Sequence, residues 1–368
     1  MSKCKMVRLG DILQYEQPTK YIVENTNYNH NYKTPVLTAG QTFILGYTNE
    51  TNNIYKKNLP CIIFDDFTTA IKLVDFPFKV KSSAMKILNN DKNLTDIRFL
   101  YYFMTTVKMD IELHKRYWIS EFANIDIQLP ELAIQKKIAD TLEKLVYLTS
   151  LHKQQIKKFN LLVKSRFIEM FGDLFCKDEK YPKRQIATVI GDNIARVGRT
   201  YNLSDKIKYI DITSIDNRCN EIVKYVEYIV ENAPSRAQQI VQMGDVLVST
   251  VRPNLKNVAV VRDSFDNMVA STGFCVLRPM ELINTEYLFE IVNSDAFAEY
   301  LIKMAKGASY PAVNGSDIKD FEIAIPPISL QNSFADFVKQ VDKSKFVMQK
   351  GLEKLELTYK ALMQQYFG

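Results

Sequence analysis

Apolar residues recur in alternating steps of four and three along two stretches of this chain. The first places Ile138, Leu142, Leu145, Thr149, His152, Ile156, Phe159, Val163, Arg166 and Met170 on one stripe. The second places Phe334, Val338, Val341, Lys345, Met348, Leu352, Leu355, Tyr359, Leu362 and Tyr366. A 3.5-residue apolar period predicts a long helix that buries one seam against a partner helix. Pro130 and the Pro326-Pro327 pair stand at the openings, where a missing N–H costs a helix nothing, and Gly172 and Gly368 stand at the close.

The two stretches are copies of each other. Residues 129–172 align without a gap on 325–368 at a constant offset of 196, with Pro130/Pro326, Gln135/Gln331, Ala139/Ala335, Asp140/Asp336, Lys158/Lys354, Leu161/Leu357, Lys164/Lys360, Phe171/Phe367 and Gly172/Gly368 identical. Duplication supplies each seam with its partner. Ile138, Leu142, Leu145, Ile156 and Phe159 of the first copy are expected to pair with Phe334, Val338, Val341, Leu352 and Leu355 of the second, as antiparallel rods about 60 Å long related by a pseudo-two-fold axis. A helical hairpin inside one core is the alternative, but each copy follows a long block of different pattern, which favours rods that hold two globular blocks apart.

In those blocks the period falls toward two. Residues 1–128 contain the runs YIVEN, TPVLTA, TFILGYT, PCIIFDDF, IKLVDF and AMKIL separated by turn-forming residues, then a helical pattern over 96–112 with Thr95 as candidate N-cap, and a closing strand in NIDIQLP. Residues 173–324 repeat the plan: YIDITSI, IVKYVEYIV, DVLVSTV, NVAVVRD and GFCVLRP, a helix at TEYLFEIVNSDAFAEYLIKM, and the strand FEIAIP. VKSSAMKIL matches VASTGFCVL, and IDIQLP matches FEIAIP. The predicted class is α+β: two mainly-β globular domains with helices, 1–128 and 173–324, joined by two long antiparallel coiled-coil helices, 129–172 and 325–368, as a pseudo-two-fold internal duplication.

With 368 residues, 46% of them hydrophobic, the chain can fill two cores. MSKCKMV has no apolar signal core and nothing downstream approaches about 18 consecutive apolar residues, so a cytoplasmic protein with no membrane partner is expected. Five scattered cysteines and three distant histidines offer no zinc spacing and point to reduced, buried thiols. The net charge of +6 divides into +3 for 1–128, +4 for 129–172, −3 for 173–324 and +2 for 325–368. The helices carry the excess, so a nucleic-acid surface on the globular blocks must be local.

Loops rich in Arg, Lys, Asn, Gln, Ser and Thr are the candidates, because those side chains match base edges while Lys and backbone N–H groups suit phosphates. In the first block they contribute Thr38, Gly40, Gln41, Thr68, Thr69, Lys72, Lys81, Ser82, Ser83, Lys115, Arg116 and Tyr117. In the second they contribute Arg196, Arg199, Arg236, Ser249, Arg252, Asn254, Lys256, Lys306, Ser309 and Tyr310. Solvated surface is the competing reading for each loop taken singly, and core packing for Tyr117.

LPELAIQKKIADTLEKL and IPPISLQNSFADFV resemble the proline-led openings of the two conserved helical regions in DNA specificity subunits of Type I restriction–modification systems. GDVLVSTVRPNLKNVAVV with KGASYPAVNGSDIKDFEIAIPPI resembles one recurrent target-recognition domain type, and TAGQTFILGYTNE with IFDDFTTAIKLVDFPFKVKSSAMKIL resembles another. The resemblance covers the whole chain. It implies that each domain reads one half of a bipartite double-stranded DNA site from the major groove while the helices set the unspecific gap. It also implies docking of two modification subunits, which bind S-adenosylmethionine and methylate adenine, and of restriction subunits that cleave. This chain would then do no chemistry and need no cofactor or metal of its own. One departure is the missing four-residue tandem repeat near KSRFIEMFGD, which leaves spacer length open.

Two other readings compete. An adenine methyltransferase should carry an NPPF/DPPY-type motif, and the only Pro-Pro pair opens a helix instead; GxxxxGK[ST] and HExxH are also missing. Carboxylates near a lysine, such as Asp65, Asp66 and Lys72, suggest a metal-dependent nuclease, but such triples arise by chance in any charged chain. A coiled-coil assembly scaffold that ignores DNA would share the rods, and sequence-selective, salt-dependent duplex binding separates it from a DNA reader.

Overall fold

A computed structural model of the chain describes residues 5–38, 42–109, 116–172, 180–263, 267–307 and 310–368. Both seams fold as helices, Leu132–Phe171 and Ile328–Phe367, each of 40 residues. Every seam position named above is buried or half-buried. Among the described residues, no helix is long and apolar enough to cross a membrane.

Two compact units emerge, Met1–Lys153 with Lys350–Gly368, and Gln154–Gln349. Their boundaries fall inside the long helices, so each unit holds one globular block together with part of both helices. In the first unit the helices run antiparallel: Lys153 Nζ meets Glu356 at 2.8 Å, and a Cβ on Gly351 would stand 3.0 Å from His152 Nε2. A glycine inside a helix lowers its stability, and here it makes room for an imidazole. At the end of the second helix, Phe367 packs on Phe99 and Phe103, with ring centroids 5.2 and 6.1 Å apart. In the second unit its counterpart Phe171 packs on Tyr287 and Phe334 at 4.9 and 5.6 Å. Phe167 joins them, and the Arg166 guanidinium lies 5.7 Å from the Phe337 ring centroid. The end of each long helix thus meets the start of the other copy or a helix of the globular block that the other copy follows.

The first globular block has a four-stranded antiparallel sheet in the order Leu13–Glu16, Met85–Asn90, Cys61–Asp65, Ile71–Val74. A second sheet holds Ile44–Thr48, Thr34–Leu37 and Lys79–Val80, the last two parallel. The second block repeats both. Its antiparallel sheet runs Ile190–Gly191, Phe274–Pro279, Val246–Ser249, Val258–Val260. Its other sheet runs Val226–Ile229, Lys206–Ile210, Met268–Ser271, Ala237–Ile240, again with one parallel pair, Lys206–Ile210 beside Met268–Ser271. In chain order, first strand, last strand and central hairpin occupy the same places in both antiparallel sheets. The short match VKSSAMKIL/VASTGFCVL therefore marks topologically equivalent strands. A two-stranded ladder precedes each long helix: Lys5–Arg8 with Asp126–Leu129, and Lys183–Gln185 with Glu322–Ala324.

The identical glutamines explain how each long helix is fixed to its own block. Gln135 Oε1 accepts from the Asp96 N–H at 3.0 Å, and its Nε2 donates to the Leu94 and Pro130 carbonyls at 3.3 and 2.8 Å. Gln331 Oε1 accepts from the Asn284 N–H at 2.9 Å, and its Nε2 donates to the Leu282 and Pro326 carbonyls at 3.1 and 2.8 Å. Asp96 and Asn284 are the N-caps of the helices Ile97–Thr106 and Thr285–Val292. Both glutamines are fully buried, where an unpaired amide would be costly, so the three bonds determine the fit.

Three expectations about the domain helices change. Asp96, not Thr95, caps the first domain helix, because its carboxylate accepts from Arg98 N while Thr95 accepts from Asn90 Nδ2. That helix ends at Thr106, short of the expected 112; residues 110–112 lie outside the described set. The single helix expected over TEYLFEIVNSDAFAEYLIKM is two, Thr285–Val292 and Asp295–Met304. Ser294 Oγ accepts from Phe297 N and starts the second.

Candidate nucleic-acid interface

In the second unit, backbone pairing gathers most of the predicted loop residues at one end of the sheets. Ser249 pairs with Phe274 and Ala237 with Ser271, so the segments after Ser249, before Ala237 and between Ser271 and Phe274 emerge together. The Thr272-Gly273 turn ties them: Thr272 N–H donates to the Arg236 carbonyl, and the Gly273 carbonyl accepts from Thr250 N–H and Oγ1. Arg196 bridges to Gln239 and opens the short helix Val197–Thr200, which exposes Arg199. Arg252 N–H donates to the Pro311 carbonyl at 2.8 Å, and Val313 N–H donates to the Thr250 carbonyl at 2.9 Å. These bonds bring Tyr310 beside Arg252, whose guanidinium lies 4.7 Å from the Tyr310 ring centroid. Arg196, Arg199, Arg236, Arg252, Asn254, Lys306 and Tyr310 are exposed. Lys256 is half-buried and ion-paired with Asp295.

In the first unit the equivalent end carries the equivalent loops. Leu37 pairs with Val80 and Lys81 N–H donates to the Leu37 carbonyl, placing Thr38 beside Lys81, Ser82 and Ser83. Asp65 pairs with Met85, which brings the Thr68-Thr69 turn to the same end. Asp65 shapes that turn, its Oδ1 accepting from Phe67 N and Thr68 N and its Oδ2 from Thr68 Oγ1. The Asp66 carbonyl accepts from Tyr117 N–H and its carboxylate from Trp118 N–H, so Arg116 is exposed next to the turn. Lys72 is exposed on the edge strand Ile71–Val74, paired with Ile63. Gly40, Gln41, Lys115 and Ser309 lie outside the described residues.

The hairpin loop holding Thr68-Thr69 in the first sheet corresponds to the one holding Arg252–Lys256 in the second. Both contain non-glycine residues at positive φ: Thr69 at 57°, Arg252 at 51° and Lys256 at 49°. This region disfavours L side chains, β-branched ones most, and such strain persists only where surrounding contacts impose it.

Charge pairing separates the arginines into two sets. Arg98, Arg166, Arg218, Arg262 and Arg278 each meet a carboxylate. Among the described residues no such partner meets Arg116, Arg196, Arg199, Arg236 or Arg252, the arginines singled out by sequence. Arg8 and Arg184 share that property but sit on the ladders that lead into the long helices. Unpaired guanidiniums exposed on strained or tethered loops can donate to phosphate or to guanine O6 and N7.

Two candidates do not face solvent. Tyr117 is 1% exposed and packs in the core with Trp118, Phe122 and Leu13. Ser249 is 4% exposed, and its Oγ both donates to the Val251 carbonyl and accepts from Val251 N–H, a turn-forming role. Lys79, beside the predicted Lys81 loop, is also buried and ion-paired with Glu50. Asp65 and Asp66 are buried and spent on the turn and on an ion pair with Lys86 at 3.2 Å, away from the metal-holding arrangement that Asp65, Asp66 and Lys72 suggested. Burial pushes the Cys61 thiol up to about 12 and the Cys275 thiol up to about 11, so both stay protonated and unreactive at neutral pH. Sequence reasoning passed over Thr272 and Gly273, which tether the basic loops together with Thr250 of the candidate loop Ser249–Lys256. The short Thr-Gly break between the apolar runs MVAS and FCVL was the available signal.

The Type I restriction modification DNA specificity domain matches residues 1–161 and 169–357. The chain is 30% identical to the Escherichia coli Type I restriction enzyme EcoR124I/EcoR124II specificity subunit, across 98% of this chain and 91% of that protein. It is 21% identical to the Type I restriction enzyme MjaVIII specificity subunit of Methanocaldococcus jannaschii, again across 98% and 91%. The crystal structure of the Type I restriction–modification system S subunit from M. genitalium shares the fold, with a TM-score of 0.66 at 13% identity over 100% of this chain and 97% of that one.

Proposed function

Since this chain belongs to the Type I restriction modification DNA specificity family, we propose that it reads a bipartite double-stranded DNA target with an unspecific spacer and directs partner subunits to it. The observation that carries this reading is the repetition of one loop set, with unpaired basic side chains, at the same end of two topologically equivalent blocks. Two readers of one design but different loop sequences suit two different half-sites.

In this reading, residues 1–128 and 173–324 are the target-recognition domains and 129–172 and 325–368 the spacer helices. Arg252, Asn254, Arg199 and Lys81 contact base edges, while Thr68, Thr69, Lys72, Ser82, Ser83, Arg116, Arg196, Arg236 and Lys306 position the backbone. Two modification subunits dock on the helices, bind S-adenosylmethionine and methylate adenine, and restriction subunits cleave. The chain itself contributes binding and geometry, not chemistry.

Duplex binding by the chain in complex with its modification subunit tests this. Arg252→Ala should weaken discrimination at one half-site by about 1–3 kcal/mol if it pairs with guanine. Lys72→Ala should weaken all duplexes alike and reduce the salt slope by about one. Binding that ignores sequence in the unsubstituted complex would defeat the proposal.

A further inference from the structure

Arg252 and Tyr310 stand 58 residues apart in sequence, and three features converge on the pair. Arg252 adopts φ 51° and ψ 63° immediately before Pro253, a conformation that side chains seldom take and that a following proline does not ease. Backbone bonds from Arg252 N–H to Pro311 and from Val313 N–H to Thr250 fasten its loop to the segment that carries Tyr310. That segment closes on itself through reciprocal bonds between Lys306 and Ala312, with Gly307 at φ 100° and so close to the Tyr310 carbonyl that a Cβ would stand 3.0 Å from it.

We propose that Tyr310 is a positioning residue for Arg252, holding its guanidinium by the face so that the in-plane N–H groups are presented to one guanine of the half-site read by residues 173–324. The arrangement follows from the shape of the group. A guanidinium donates hydrogen bonds only in its plane, and its faces stack on aromatic rings. The guanidinium carbon lies over the Tyr310 ring, 4.7 Å from its centroid, and no hydrogen bond or ion pair of the guanidinium occurs among the described residues. Its donor edge is left for a bidentate acceptor, and guanine offers O6 and N7 at that spacing in the major groove. Holding a long, rotamer-rich side chain in place before binding reduces the ordering cost on association. Tyr310 is 68% exposed, so its ring is open to a ligand and does not serve the core of the block.

This inference rests on the DNA-reading proposal, and its test separates the two. The full chain in complex with its modification subunit is assayed against duplexes carrying its methylated target and against duplexes with each G·C pair of that target replaced in turn. Tyr310→Ala and Tyr310→Leu should each reduce discrimination at one G·C pair by about 10-fold or more, the pair that Arg252→Ala also affects, and leave the other positions and non-specific affinity unchanged. Tyr310→Phe, which keeps the ring face and loses only the hydroxyl, should restore discrimination. If Arg252→Ala relaxes one position while Tyr310→Ala and Tyr310→Leu relax none, the positioning role is overturned and the DNA reading stands. Loss spread evenly over all positions overturns it as well. If the unsubstituted complex shows no sequence preference, both proposals fall together.

Discussion

Replacing Gln331 by methionine keeps the side chain's bulk and removes three hydrogen bonds at once. The Asn284 N–H and the Leu282 and Pro326 carbonyls would then face a thioether in the place of a side chain that has no exposed surface. A buried polar group left unpaired costs about 1–3 kcal/mol, and a carbonyl keeps more freedom than an N–H to find another donor, so the expected loss is about 2–4 kcal/mol. Gln135→Met should cost a similar amount, because Gln135 makes the same three bonds in the other unit. The two sites share no partner, so the double variant should lose the sum to within about 0.5 kcal/mol. Urea unfolding reads both. The single tryptophan, Trp118, is buried in the first unit, so its fluorescence follows the Gln135 variant, while far-UV circular dichroism follows either. Losses below about 0.5 kcal/mol for both variants would show that the amide clamps do not fix the helices to their blocks.

Phe334 is fully buried against Phe167 and Phe171, and Phe334→Ala should destabilise the second unit by about 3–5 kcal/mol in the same unfolding assay, since the rings around it cannot collapse into the space. Burial pushes the Glu290 carboxyl up to about 7, with Lys164 opposing and Glu286 and Asp342 adding to the rise. The folded state then binds its proton more tightly than the unfolded chain, so this residue's contribution falls as pH rises from about 4.5 to about 7. Glu290→Gln should remove that fall and raise stability at pH 8 relative to the parent by on the order of 1–2 kcal/mol, with little change at pH 4; an unchanged pH profile of the thermal midpoint would contradict it.

The long helices were legible because a seam period, proline openings and glycine closures all agreed, and because the duplication named the partner. Their nine identical pairs were less transparent. Gln135 and Gln331 sit off the seam, and nothing in a one-dimensional pattern says that a glutamine will be buried over the N-cap of a distant helix. Strands in the blocks were visible as apolar runs, but YIVEN does not form one: Pro18–Tyr21 is a 3-10 turn, and Ile22 makes a single bridge to Val80. The break of the second-block helix at Asn293-Ser294 was signalled by a serine able to cap, and was hidden by apolar residues on both sides of it. Among the loops, composition picked out arginines that meet no carboxylate among the described residues: Arg98 and Arg218 sit two residues from the aspartates they bind, while Arg199 and Arg252 have no such neighbour. It misplaced Tyr117 and Ser249, whose polar atoms look outward in sequence and serve the core and a turn in three dimensions.

The most direct test of the central claim is the genome-wide adenine methylation pattern of cells expressing the chain with its neighbouring modification subunit, compared with cells in which residues 173–324 are deleted. A two-part motif with a fixed unspecific gap is expected in the first case, and its loss or change in the second. Formation of the complex with no motif that depends on this chain would contradict it, and would favour a helical scaffold whose globular blocks bind something other than DNA.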